Sequence, residues 1–142
     1  MEKIKFKIVT PERIVFEDEV DQATLPTSEG EITVLPKHIP LVSVLKPGEL
    51  LLKKNKKEIP MAVSGGLIEV GKNEIVVLAD TAEHAYEIDE QRAEEAKRRA
   101  EEMMKTASRE MVDNAALVSN LEKELARLKV VRRHKSRSIN IN

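Results

Sequence analysis

Residues 83–102 read EHAYEIDEQRAEEAKRRAEE, and within them the chain changes its period. Upstream, apolar residues recur at every second position; downstream they recur at steps of three and four. Those are the periods of a pleated strand and of an α-helix. Asp89 follows the apolar Ile88 and precedes a charged, Ala-spaced segment, so it reads as a helix N-cap. A capping box would want Glu or Gln three residues further on. This chain has Arg92 there, a cation in the first turn, which the helix dipole disfavours by roughly a few tenths of a kcal/mol.

Working back towards the N-terminus, KIKFKIV at residues 3–9 alternates strictly. Ile4, Phe6 and Ile8 share one face, and Lys3, Lys5 and Lys7 share the other. The runs RIVFEDEV, DQATLP, GEITVL, PLVSVL, ELLLKK, IPMAVS, LIEV and EIVVLAD follow. Turn signals separate them: TP, SEG, LPKH, KPGE, KNKK, SGG and GKN. Many short strands at this spacing predict a small all-β sandwich or barrel. SGG at residues 64–66 reads as a tight turn. All six prolines and all five glycines lie before residue 72, so turn chemistry ends there.

Working forward, residues 89–107 contain neither Gly nor Pro. Ala93, Ala96, Ala100, Met103 and Ala107 form a helical stripe of mostly small residues. Val118, Leu121, Leu125 and Leu128 form a second stripe, with the turn expected in TASREMVDN and Ser108 or Asp113 as N-cap candidates. Together they predict an antiparallel αα-hairpin. Such a pair cannot bury both sides alone; it needs the β domain or a partner, and the small-faced first helix predicts weak docking. The expected division is a β-sandwich over residues 1–86 and a two-helix hairpin with a basic tail over residues 87–142. The closing RSININ is short and polar, and is expected to fray.

Composition narrows the function classes. Hydrophobic residues are 41% of the 142, and no apolar run approaches the ~20 residues of a membrane span. The start MEKIKFKIVT lacks the apolar core of a signal peptide, which predicts a cytoplasmic location. With no cysteine there are no disulfides, thiolate metal sites or cysteine nucleophiles. Aromatics are only 2%, which argues against base-stacking nucleic-acid platforms. Charge is polarised: residues 114–142 carry 7 Lys/Arg against 2 Asp/Glu, while the chain as a whole is −1. A cationic end of this kind meets an acidic partner surface or is a solvated tail.

Catalytic chemistry is not visible. His38, His84 and His134 lie far apart, and none has a second ligand at zinc spacing. No nucleophile elbow, Walker A loop or dinucleotide fingerprint occurs. The hairpin does carry a cationic constellation. Arg92 and Arg99 lie two turns apart on the first helix, and Lys123 and Arg127 lie at i, i+4 on the second. An antiparallel hairpin can bring the four towards one anionic ligand, helped by free N–H groups at the helix start. Ala93 would leave room for a flat base. The alternative is a solvated face on which these cations pair with Glu95, Glu102 and Glu124.

TPERIVFEDEV, SEGEITVLPKHIPLVSVLKPGEL, MAVSGGLIEV, VVLADTAEHA and IDEQRAEEA, in that order over residues 4–130, resemble the epsilon subunit of bacterial F-type ATP synthases. The resemblance implies an N-terminal β-sandwich of about ten strands with a C-terminal two-helix hairpin. It implies a non-catalytic subunit of the central stalk, on the cytoplasmic face of the cell membrane. There the sandwich binds the gamma subunit and the c-ring and couples proton flow to ATP synthesis. The hairpin lies folded on the sandwich or extends along gamma into the alpha–beta hexamer, where it impedes ATP hydrolysis. In some members ATP, with or without Mg²⁺, is a regulatory ligand that holds the hairpin folded. The ligand motif maps onto Ile88, Asp89, Arg92 and Ala93, joined by Glu83, Arg99 and Arg127. Lys123 stands where the family has another arginine, keeping the charge but losing the planar fork.

Two more departures are Lys37, where the turn often has Gly, and Leu67, where Phe is common. Glu31 and His38 fall in the loop region that the family directs towards the rotor. Arg127, Lys129, Arg132 and Arg133 make the basic surface that would meet an acidic segment of the beta subunits. The rival reading is a stand-alone nucleotide-binding sensor. A basic-tailed nucleic-acid binder lacks the aromatics and net positive charge it would need.

Overall fold

The alternation of residues 3–9 sets the first strand and the first wall of the core. In the computed structural model, which describes residues 2–106 and 114–140, Ile4, Phe6 and Ile8 of β1 (Ile4–Val9) are buried while Lys5 faces solvent. Seven further strands follow: β2 (Ile14–Val20), β3 (Gln22–Thr27), β4 (Gly30–Val34), β5 (Leu41–Leu45), β6 (Gly48–Lys54), β7 (Lys57–Gly71) and β8 (Glu74–His84). They run in the order β2-β1-β8-β7-β5-β3-β4, with β6 bridging β3 and β7. β1 and β8 are parallel; the other pairings are antiparallel. The inward faces of this sandwich enclose an aliphatic core that includes Leu25, Leu50, Leu52, Met61, Ile68 and Ile75, as a chain so poor in aromatics must.

The structure corrects one turn. IPMAVS and LIEV are not two strands; both belong to the 15-residue β7. Ser64 opposes Thr81 and Gly66 opposes Ala79, so the register with β8 runs unbroken through SGG. Gly65 (φ 37°) and Gly66 (φ 153°) crease the strand instead of reversing it. A Cβ on Gly66 would lie 1.9 Å from the Leu78 carbonyl oxygen, so no side chain fits there. At this crease β7 changes partner, pairing through Val63 with β6 and from Gly66 with β5. A double glycine signals a turn and a crease alike, and only the long partner β8 decides between them.

After β8 a 3-10 turn, Ala85–Glu87, leads into α1 (Glu90–Thr106), and α2 (Asn114–Asn140) returns. Arg132 of α2 pairs with Glu90 and Glu94, so the end of α2 lies beside the start of α1 and the hairpin is antiparallel. α2 also packs on β6 and β7. The hairpin is therefore folded down on the sandwich. Ala93 and Ala100 are buried, but Met103 is exposed. On α2 only Leu128 of the Leu stripe is fully buried, whereas Val118 and Leu125 are exposed. Ala126 and Val130 are buried instead, because α2 touches both α1 and the sandwich and must cover a wider arc than a two-helix seam. Ala107, Ser108 and Asp113 lie outside the described residues. The backbone is helical through Asn140, and Ile141 and Asn142 at the end of RSININ lie outside the described residues.

Candidate functional site

The hairpin meets the sandwich through Ala62 of β7, Ile88 of the connection, Ala93 of α1, and Leu128 and Val130 of α2. Burying Leu128 and Val130 contributes about 1.5–3 kcal/mol each. The rest of the seam is mostly alanine, so apolar burial alone holds the hairpin only modestly. Ala93 is fully buried. It belongs to the apolar cluster at this seam.

Asp89 is the N-cap expected from the sequence: its Oδ1 accepts the backbone N–H of Arg92 at 3.2 Å. The Arg92 guanidinium points outward, 85% exposed, with Nε 4.0 Å from Asp89 Oδ2. Arg99 is also exposed and lines a shallow groove on α1 with Glu95, Arg98 and Glu102. Both guanidinium groups are open to solvent.

Arg127 is in a different setting. Its Nη1 donates to Glu124 Oε2 at 2.7 Å, and its Nη2 donates to Glu83 Oε2 at 3.3 Å. Nε lies 2.8 Å from Glu83 Oε1, an ion-pair distance, but its N–H makes no aligned hydrogen bond. Burial pushes the guanidinium pKa down, yet the two carboxylates prevail and raise it overall. Glu124 is itself buried, its side chain 5% exposed, with Lys123 Nζ 3.7 Å from its Oε1. Of the eight residues mapped onto the nucleotide motif, Glu83 and Arg127 are thus in direct contact. Lys123 is linked to them through Glu124, Ile88 and Ala93 belong to the buried apolar seam, and Asp89 caps the helix.

The basic surface of α2 is largely met by acids. Arg132 Nε is 3.2 Å from Glu90, and its Nη2 pairs with Glu94. Arg133 Nη1 is 3.2 Å from Glu49 Oε1 and His134 Nε2 is 3.3 Å from Glu49 Oε2, tying α2 to β6. Lys129 is exposed. Sequence reasoning missed Glu49, Glu90, Glu94 and the burial of Glu124, because acid–base partners across elements carry no spacing signal.

The same holds for the hinge. Glu87 receives the Arg13 guanidinium at 2.9 Å and the His84 backbone N–H at 3.0 Å. His84 is a buried structural residue: Nε2 is 3.3 Å from the Val15 carbonyl, and its ring stacks on Tyr86 at 4.9 Å. Among the described residues no group of three His, Cys, Asp or Glu could hold a metal. No helix among them is long and apolar enough to cross a membrane.

Glu31 stands exposed on β4, and His38 sits in the following turn, its Nδ1 2.7 Å from the Ile39 carbonyl. Leu35 and Ile39 expose apolar surface on either side of His38. A second apolar surface crosses three strands, where Val44 opposes Leu67 and Leu67 opposes Leu78, all three exposed.

Comparison with known proteins agrees with this architecture. Residues 3–85 match the family described as ATP synthase, delta/epsilon chain, beta-sandwich domain. Residues 87–132 match its long alpha-helix domain. The chain is 46% identical over 133 residues to the ATP synthase epsilon chain of Chloroflexus aggregans, covering 93% of this chain and 94% of that one. It is 51% identical over 102 residues to that of Herpetosiphon aurantiacus, covering 72% and 75%. A chain in the Euglena gracilis mitochondrial ATP synthase (OSCP/F1/c-ring) shares the fold at a TM-score of 0.70 and 23% identity, over 93% of this chain and 81% of that one. With the sandwich and the helical part matched in order, the chain belongs to the ATP synthase delta/epsilon chain family and is an epsilon chain of that complex.

Proposed function

We propose that the chain is a non-catalytic rotor subunit on the cytoplasmic face of the membrane, and that its hairpin is a regulatory element that restrains ATP hydrolysis when it extends. The observation that carries this reading is how the hairpin is held. The apolar seam is thin, and the cations of α2 are met by acids of the sandwich and of α1: Arg127 by Glu83, Arg133 by Glu49, Arg132 by Glu90 and Glu94. The Arg132 pairs are exposed and worth about 0–1 kcal/mol each, and the pairs of Arg127 and Arg133 cross from α2 to the sandwich, so an acidic surface elsewhere can replace them. In the extended state that surface belongs to the alpha and beta subunits, met by Arg127, Lys129, Arg132 and Arg133.

The sandwich docks on the gamma subunit and the c-ring. The row Val44, Leu67 and Leu78 and the loop of Leu35, His38 and Ile39, with Glu31 nearby, supply exposed apolar and polar contacts for such partners. ATP is the regulatory ligand of the hairpin. The exposed guanidinium of Arg92 at the first turn of α1 supports this, since a phosphate beside it would satisfy both the cation and the helix N-terminus.

Two measurements on the intact chain test the reading. Co-purification with a gamma subunit at micromolar concentration is expected; its failure, together with tight ATP binding, would make the chain a stand-alone nucleotide sensor. Calorimetric titration with millimolar ATP is expected to show binding that Arg92→Ala and Asp89→Ala weaken by about tenfold or more. No heat from the unaltered chain would remove ATP as its ligand and leave the rotor role standing.

A further inference from the structure

Arg127 has five N–H donors in a planar fork, the geometry that recognises phosphate through two parallel bonds. Both terminal nitrogens of that fork are engaged, Nη1 by Glu124 and Nη2 by Glu83, whose other oxygen lies 2.8 Å from Nε at ion-pair distance. The two acids are not equivalent. Glu83 belongs to β8 and ties Arg127 to the sandwich, so this contact breaks whenever α2 leaves. Glu124 lies three residues before Arg127 on the same helix and travels with it.

Glu124 is also the more deeply buried of the two, 3% exposed, and a buried carboxylate persists only where cations compensate it. Arg127 and Lys123 supply that compensation, at 2.7 Å and 3.7 Å. Lys123 is another residue mapped onto the nucleotide motif. One carboxylate therefore draws on two of the cations counted towards an anionic ligand.

We propose that Glu124 is a resident anion of this site: its carboxylate takes the place on Arg127 and Lys123 that a phosphate would occupy. This rests on the reading of the site as one for a phosphate-bearing ligand. With Glu83, Glu124, Lys123 and Arg127 together, the cluster sums to zero charge and the hairpin folds without nucleotide. A polyphosphate must displace Glu124 or bind beside it against like-charge repulsion. Glu124 accordingly sets the affinity, and the chain responds to nucleotide only at high concentration.

The test titrates ATP and inorganic tripolyphosphate into the full chain, into Glu124→Gln, and into Glu122→Gln as a control. Glu122 is an exposed acid on the same helix, so its substitution reports the effect of net charge alone. Glu124→Gln is expected to bind both ligands at least about tenfold more tightly than the unaltered chain, with Glu122→Gln changing either by less than about twofold. Glu124→Ala, which removes the side-chain carbonyl as well, is expected to move in the same direction. Thermal melting confirms that each variant is folded.

Equal affinities of Glu124→Gln and the unaltered chain would overturn the proposal, as would an equal gain in Glu122→Gln. Tighter tripolyphosphate binding in Glu124→Gln, with no preference for ATP over it, would uphold the resident anion and remove the nucleotide reading. ATP preferred over tripolyphosphate by the unaltered chain, and unaffected by Glu124→Gln, would do the reverse.

Discussion

Lys56 closes the two-residue turn between β6 and β7 at φ 67°, after Asn55 at φ 52°. Lys54 opposes Lys57, so these two residues are the whole loop, and positive φ at both makes it a type I′ turn. Asn tolerates this conformation; Lys, with a Cβ and no local hydrogen bond to offer, costs about 1 kcal/mol. Lys56→Gly should raise stability by about that amount and the melting temperature by about 3 °C, measured by calorimetry. The crease of β7 behaves in the opposite way. Gly66→Ala would drive a Cβ into the Leu78 carbonyl and should cost more than about 3 kcal/mol in denaturant unfolding. Lys37, which stands where the family often has glycine, does adopt φ 69°, so it carries the same kind of cost in the turn after β4.

Between the two halves, the 3-10 turn Ala85–Glu87 is anchored through Glu87 to Arg13, the residue just before β2. Burial pushes the Glu87 carboxyl up, but the His84 N–H and the Arg13 guanidinium outweigh it and hold the pKa below the usual glutamate value of 4.5. The contribution is therefore complete above the unfolded pKa and is lost as pH falls through the lower, folded one. Below pH 4.5 the protection factors of the amides in this connection, taken relative to their intrinsic exchange rates at each pH, should begin to fall, and Glu87→Gln should show the lower protection already at neutral pH. Lower protection in the variant at neutral pH without any further acid effect is the expected pattern. These elements divide what was legible in the sequence from what was not. Strict alternation at Ile4, Phe6 and Ile8 and the Asp89 cap were readable because each is a local rule with a period or a position attached. The crease at Gly65 and Gly66 was not, since a double glycine permits both a reversal and a bend. For the site, the Asp89 cap was legible and so was the i, i+3 pairing of Arg127 with Glu124; the contact of Arg127 with Glu83 across two elements was not. The burial of Glu124 was not, because its depth depends on α2 packing against two surfaces at once.

At the scale of the molecule, charge is distributed so that the sandwich and α1 supply acids and α2 supplies cations. Glu49, Glu83, Glu90 and Glu94 meet Arg133, Arg127 and Arg132 when the hairpin is folded. The core of the sandwich does not include the hairpin, whose seam is a separate and smaller cluster. Release of the hairpin, as proposed, would leave the core of the sandwich intact. The central claim is that this half regulates hydrolysis while the sandwich carries assembly. The direct measurement compares ATP synthase complexes reconstituted with the full chain and with a chain truncated after Asp89, following assembly, proton-coupled synthesis and ATP hydrolysis. Normal assembly and coupling with faster hydrolysis are expected of the truncated complex. Hydrolysis unchanged by the truncation would contradict that claim.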